Sequence, residues 1–388
     1  MKYSVWLQSL LGCGYGKTAA ILDRFGSAKG VFDADYSALY NSGLFTQKAL
    51  SRAKEHSLHE AEKALEFCKK NGIAVIPYGS DNYPECLARI PDFPLVIYVK
   101  GVMPDFESIP SVCIVGPRKC SDFGIKASYS LSSRLARGGM IIVSGGAVGV
   151  DSAAHRGALA ENGVTALVMP CGFGYDYLKE NESLRENIIN NNGCIITECP
   201  PEYPVIKGAF EIRNRLMSAL TLGTVVIEAG ERSGALITSR HALEQGKDVF
   251  VIPGNPTLPQ YIGSNNLLRD GAKPLLTAND VFFEYIGIYK DKLDIEKAFS
   301  GPLKPMNALK KEPNADNAGE EKNKKADLSG LSEVATAIYN AAPADAFCVD
   351  ELSVFCDYNA SELMAAITEL EIMGAVKAVP GGRYLKVQ

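Results

Sequence analysis

A chain of 388 residues, 46% apolar and 22% charged, has the make-up of a soluble globular protein large enough for two or three domains. Its formal charge of −5 excludes a protein that coats nucleic acid through a generally basic surface, and the lack of a long apolar run or a signal-type amino terminus argues for a cytoplasmic protein with no membrane partner. Ten scattered cysteines with no Cys-x-x-Cys pair, and only four histidines, point to reduced core thiols and call for no metal or cofactor. The acid excess is local, with three Lys/Arg against eight Asp/Glu in residues 328–388, so a nucleic-acid site has to be a local basic groove.

In chain order, residues 1–70 read as helices. Leu11-Gly12-Cys13-Gly14-Tyr15-Gly16-Lys17 breaks two of them with alternating glycines, as a helix-hairpin-helix or SAM-like domain does. Such a hairpin presents amides to a DNA phosphate; a tight turn between packed helices fits the same residues. Residues 71–108 hold two β-branched runs, 73–76 and 95–99, among prolines, and predict edge strands leading into a larger sheet. From Val112 to about Tyr285, the runs VCIVG, MIIVSG, VTALVMP, CIITE, TVVIEA and DVFVIPG alternate with helical patterns. Unbroken aliphatic strands are buried on both faces, so residues 71–286 predict an α/β fold with a doubly wound, Rossmann-like parallel sheet.

Residues 287–327 mix charge with Pro, Asn and Gly and predict a flexible linker. Residues 328–388 predict a winged-helix domain: a helix over 333–340, a short one over 349–355, a turn at 357–359, a helix over 361–373 and a hairpin tipped by Gly381 and Gly382. Glu362, Glu369 and Glu371 stand where a DNA reader carries Arg or Lys, so protein contact or a structural role competes with DNA binding there.

The chemistry-bearing turns follow the buried strands, where ligands of doubly wound sheets bind. Gly116-Pro117-Arg118 puts a cation that can fork onto phosphate at the end of the first strand. Ser144-Gly145-Gly146-Ala147-Val148-Gly149 is a glycine loop whose amides suit an anion, although its spacing is not GxGxxG. Asp151 and His155 share a helix face behind it, as an acid/base pair or, more simply, as a helix tie. Gly172-Phe173-Gly174-Tyr175-Asp176-Tyr177 offers rings on which bases could stack. Arg213 and Arg215 point to different sides of a helix start, so one can meet phosphate while the other braces the fold; Ser233, Gly234 and Arg240 repeat the strand-turn-helix design after Glu228.

Together the motifs VCIVGPRKCSDFG, SGGAVGVDSAAHRGAL, CGFGYDYLKEN, TECPPE, FEIRNR, EAGERSGALITSRHALEQGKDVFVIPG and IGSNNLLRDGA, in this order over residues 73–285, resemble the DNA-processing protein A (DprA, also called Smf) family. The resemblance implies a non-catalytic cytosolic homodimer that binds single-stranded DNA, protects incoming DNA during natural transformation and loads the RecA recombinase. It also implies a crevice using Gly116, Arg118, Ser144, Gly145, Gly146, Gly149, Phe173, Lys207, Arg213, Arg215, Ser233, Gly234 and Arg240, with dimer contacts near Asn266, Leu267 and Leu268. The chain departs from the family pattern at Pro117, at Tyr177-Leu178 and at Glu211. An alternative is a Rossmann-like nucleoside-monophosphate phosphoribohydrolase using Asp151, His155 and Glu228, whose typical catalytic acid has no evident counterpart here.

Overall fold

The computed structural model describes residues 1–206 and 208–306 and, in the carboxy-terminal segment, residues 331–342, 358, 360–373, 375–379 and 383–386. It divides into two units, residues 1–310 and 311–388. The first is built on a nine-stranded sheet: β1 (Ala74–Pro77), β2 (Val96–Gly101), β3 (Ser111–Val115), β4 (Ile141–Ser144), β5 (Thr165–Val168), β6 (Cys194–Thr197), β7 (Gly223–Val226), β8 (Asp248–Val251) and β9 (Lys273–Pro274). Their order is β1-β2-β6-β5-β4-β3-β7-β8-β9. Strands β3 to β9 pair in parallel, whereas β2 runs antiparallel to β6 and β1 antiparallel to β2. The edge-strand expectation therefore holds at one end, and the two-residue β9, with no apolar run to announce it, extends the other.

Period-two alternation divides each parallel strand between two cores. Cys113 and Val115 of β3 face one layer with Leu216 and Met217 of the helix Ala209–Ala219, while Val112 and Ile114 face another with Leu131 and Leu135 of the helix Asp122–Arg137. Each such fully buried aliphatic side chain contributes roughly 1.5–3 kcal/mol relative to exposure. The order turns back at β3, between β4 and β7, and the helices following β3 and β7 lie on opposite faces. That is the topological switch point, where a crevice opens beyond the strand ends.

Two expectations about organisation change. The helices of residues 1–70 share one core with Leu95, Val96 and Tyr98 of the edge region. Gln8 joins the two: its amide donates to the Val96 carbonyl at 2.7 Å and to the Glu198 carbonyl, and its oxygen accepts from Val96 N at 2.7 Å. The helical segment thus completes the sheet edge. Residues 287–306 are no tether. Leu293 and Ala298 are buried, and Arg137 donates to the carbonyls of Ser300 at 2.6 Å and Pro302 at 2.9 Å. Tyr129 donates to Lys304 O at 3.0 Å. This strap covers the outer side of the helix Asp122–Arg137.

In the second unit, Leu363, Ile367 and Leu370 of the helix Ala360–Ile372 pack with Ala335 and Ile338 of the helix Glu333–Ala341. Strands β10 (Val376–Val379) and β11 (Arg383–Lys386) pair antiparallel, as the hairpin pattern requires. Glu369 is a strut: its carboxylate accepts from the amide and the hydroxyl of Ser332, the cap of the first helix, at 2.6 Å each. The expected helix over 349–355, the turn at 357–359 and the hairpin tip lie outside the described residues, apart from Tyr358.

Candidate nucleic-acid interface

Three turns converge on the switch-point side of the sheet, and in each an internal carboxylate already holds amide donors that the sequence offers to phosphate. In the glycine loop, Gly146 and Gly149 take φ of +67° and +95°. The Asp151 carboxylate accepts from Ala147 N at 3.4 Å, and Ser144 donates to the Ile114 carbonyl at 2.7 Å. Arg213 lies where a Cβ on Gly145 would stand and donates to the Val168 carbonyl, so glycine is required there to admit the guanidinium. Burial pushes the Asp151 carboxyl up and the Arg213 guanidinium down, and each charge opposes the other's shift. Ser144, Gly145, Gly146 and Gly149 are accordingly buried; of this loop only Val148 is exposed.

The second anion site is the start of the helix Asp122–Arg137. Fully buried Glu228 accepts from Ser121 N at 3.1 Å, from the Ser121 hydroxyl and from the Tyr261 hydroxyl at 2.9 Å. A Cβ on Gly124 would stand 2.8 Å from this carboxyl group. Glu228 thus occupies the positive end of the helix that follows the Gly116-Pro117-Arg118 turn. At the hairpin, Gly14 N donates to Glu198 at 3.2 Å, and Arg215 pairs with that same Glu198 oxygen at 2.8 Å and with Asp92 at 2.7 Å. The Gly14 amide therefore ties the helical segment, and Arg215 the helix Ala209–Ala219, to the end of β6. Arg215 is the brace of the arginine pair, and Arg213, 5% exposed, is a second internal strut and not the surface cation expected from its position.

His155 is excluded from acid/base work by the same burial. Its Nδ1 meets Thr165 Oγ1 at 2.7 Å while that hydroxyl donates to Ile142 O, so Nδ1 carries the proton. Burial and the nearby Arg213 press its pKa down to about 3, leaving a neutral ring.

Arg118 remains on the surface. It is exposed, its Cζ lies 4.6 Å from the centroid of the Phe210 ring, and among the described residues no carboxylate is within ion-pair distance. Lys119 beside it is exposed, as are Phe123 and Tyr175. Gly116 leaves room for the Val150 side chain, which a Cβ would approach to 2.5 Å. Phe173 does not present its ring as expected: it is half-buried between two apolar clusters, because Gly172 N and Gly174 N bond to the carbonyls of Tyr203 and Pro201 at 2.9 and 2.8 Å and draw the loop inward. Ser233 caps its helix through Ala235 N at 3.3 Å, and Gly234 and Arg240 are exposed. Lys207 lies outside the described residues. Asn266, Leu267 and Leu268 are half-buried, both leucines resting on the main core. Sequence reasoning gave Phe210 and Phe123 no role of their own; the signal was an aromatic residue in the first turn of the helices Asp122–Arg137 and Ala209–Ala219.

A family model for DNA recombination-mediator protein A matches residues 74–286, and one for the DprA winged-helix domain matches residues 322–382. The DNA processing protein DprA of Bacillus subtilis is 35% identical over 61% of this chain and 79% of its own, and protein Smf of Synechocystis is 32% identical over 85% of this chain and 84% of its own. Among solved structures, DprA from Streptococcus pneumoniae is 28% identical and superposes with a TM-score of 0.63 over 73% of this chain and 98% of that one. DprA from Helicobacter pylori, whose structure was described for its single-stranded DNA binding mode, is also 28% identical, with a TM-score of 0.50 over 56% and 97%. The switch-point crevice and its internal carboxylates are thus built on a shared framework, and this chain belongs to the DNA recombination-mediator protein A (DprA) family.

Proposed function

We propose that this chain binds single-stranded DNA without catalysing a reaction on it, chiefly through side chains at the mouth of the β3/β7 crevice. The observation that carries the reading is Arg118, an exposed cation with no carboxylate partner among the described residues, beside the exposed Lys119 and Phe123. Because Asp151, Glu198 and Glu228 hold amides of the three turns, phosphate recognition falls to such surface cations and base recognition to exposed rings such as Tyr175. Family membership supports the wider role: a cytoplasmic homodimer, joined near Asn266, Leu267 and Leu268, that protects incoming DNA during natural transformation and loads RecA.

Fluorescence anisotropy with single- and double-stranded oligonucleotides at two salt concentrations tests this. We expect preference for the single strand, with Arg118→Ala lowering the salt slope by about one unit. Binding indifferent to both salt and Arg118 would overturn it. Release of free base from AMP, lost in Glu228→Gln, would instead establish the hydrolase reading.

A further inference from the structure

Cys13 and Cys199 stand 186 positions apart in the chain, and the fold brings their sulfurs to 3.4 Å. Cys13 sits in the turn between the helices Lys2–Leu11 and Thr18–Phe25, and Cys199 follows β6 by two residues. Their surroundings differ. The Cys199 thiol is buried and donates to the Pro170 carbonyl at 3.6 Å, which leaves its sulfur free to accept from Cys13. Cys13 is half-buried and lines a groove of about 810 Å³ walled by Trp6, Phe67, Pro201 and Tyr203. One sulfur therefore faces a space that admits a small oxidant, and the second stands directly behind it. The hydrogen bond with Cys199, then burial, hold the Cys13 thiol well above its ordinary range. It rests protonated, so it reacts slowly and answers sustained exposure to an oxidant.

We infer that Cys13 and Cys199 are a modification site, a thiol pair that a hydroperoxide converts to a disulfide between the helical segment and the sheet. The Cys13 sulfur attacks one peroxide oxygen, the O–O bond breaks, and the remaining fragment leaves as water or an alcohol with the thiol proton. The Cys199 sulfur then attacks the resulting sulfenic sulfur; the S–O bond breaks, and the hydroxyl departs as water with the Cys199 proton. Two thiols are oxidised to one disulfide, and the hydroperoxide takes up the two electrons. The sulfurs have to close by about 1.3 Å to reach a bond of about 2.05 Å. Cys13 can make that movement, because Gly12 beside it turns at φ +86° with open space around it, whereas Cys199 N is held by Thr197 Oγ1 at 3.1 Å. The new bond runs beside the contact of Gly14 N with Glu198 and makes that junction covalent. The helical segment can then no longer open away from the sheet. This inference does not depend on what the crevice binds.

The test treats the full chain with hydrogen peroxide, blocks the remaining thiols with iodoacetamide and maps the peptides without reduction. We expect a linked Cys13–Cys199 peptide that dithiothreitol separates. The treated protein should melt about 5–10 °C higher than the untreated one, because the closed loop is long. Cys13→Ala, treated in parallel, should show neither the linked peptide nor the rise, and it reports any effect of oxidation elsewhere. Cys171→Ala should keep both, since burial pushes that thiol up to about 12 and leaves it no part in the reaction. Thiols that stay unreacted on prolonged treatment, Cys13 recovered only as sulfinic or sulfonic acid, or Cys199 linked to Cys171 would each overturn the site. A Cys13–Cys199 disulfide that leaves the melting temperature unchanged would overturn its role in holding the helical segment.

Discussion

His155 shows at the scale of one residue how burial selects chemistry. Its neutral ring, hydrogen-bonded to Thr165, stays unprotonated down to a pH of about 3, whereas an unfolded histidine takes its proton near pH 6.5. Between those values the unfolded chain binds more protons, so this contribution to stability is complete above about pH 6.5 and declines as pH falls toward 3. Asp151 and Glu198, whose carboxyls burial pushes up, act in the opposite sense. Comparison with His155→Gln isolates the histidine: chemical denaturation across this range should show a flatter acid limb in the variant, by roughly 1.4 kcal/mol per pH unit in mid-window. The Asp151/His155 spacing was legible in the sequence. That Asp151 faces the loop amides and His155 faces Thr165 was not, since spacing places residues on a helix face without saying what meets them.

Elements are held here by contacts whose two sides lie far apart in the chain. Gly149 enters its helix at φ +95° and ψ −132°, and a Cβ there would stand 2.6 Å from the carbonyl oxygens of both Pro117 and Arg118. Neither backbone group can move cheaply, so Gly149→Ala should cost about 3 kcal/mol and lower the melting temperature by roughly 5–10 °C. Calorimetry measures the loss, and because the clash is with the Arg118 backbone, oligonucleotide affinity should fall with it. The strap of residues 287–306 follows the same logic in reverse. Its apolar residues have no helical or strand period, which made it read as a linker. Backbone carbonyls hold it through Arg137, and a carbonyl carries no side-chain signature.

At the scale of the whole molecule, the acid excess of residues 328–388 separates two roles. A segment with three basic and eight acidic residues repels a polyanion. Removing it should therefore change oligonucleotide affinity by no more than about threefold while diminishing capture of a protein partner such as RecA. Anisotropy and co-precipitation measure the two effects separately, and a large fall in DNA affinity would assign the winged helix to DNA. Residues 1–70, by contrast, share a core with β2 and donate the Gly14 amide to Glu198 just beyond β6, so they belong to the body of the sheet domain.

Six aliphatic runs of β-branched residues sufficed to call the Rossmann-like sheet, because a strand buried on both faces has to be apolar throughout and such a pattern is local. The winged-helix hairpin and the family motifs were local in the same way. The occupancy of the anion-binding turns was decided only by folding. Glu228 stands 107 residues from Ser121, and Glu198 stands 184 from Gly14. An amide binds whichever acceptor comes within about 3 Å of it, and a carboxylate fixed in the same fold is always present there. The glycine turns therefore announce anion binding in the sequence, while the tertiary structure assigns those anions to the protein itself and leaves Arg118, set on Phe210, exposed at the surface.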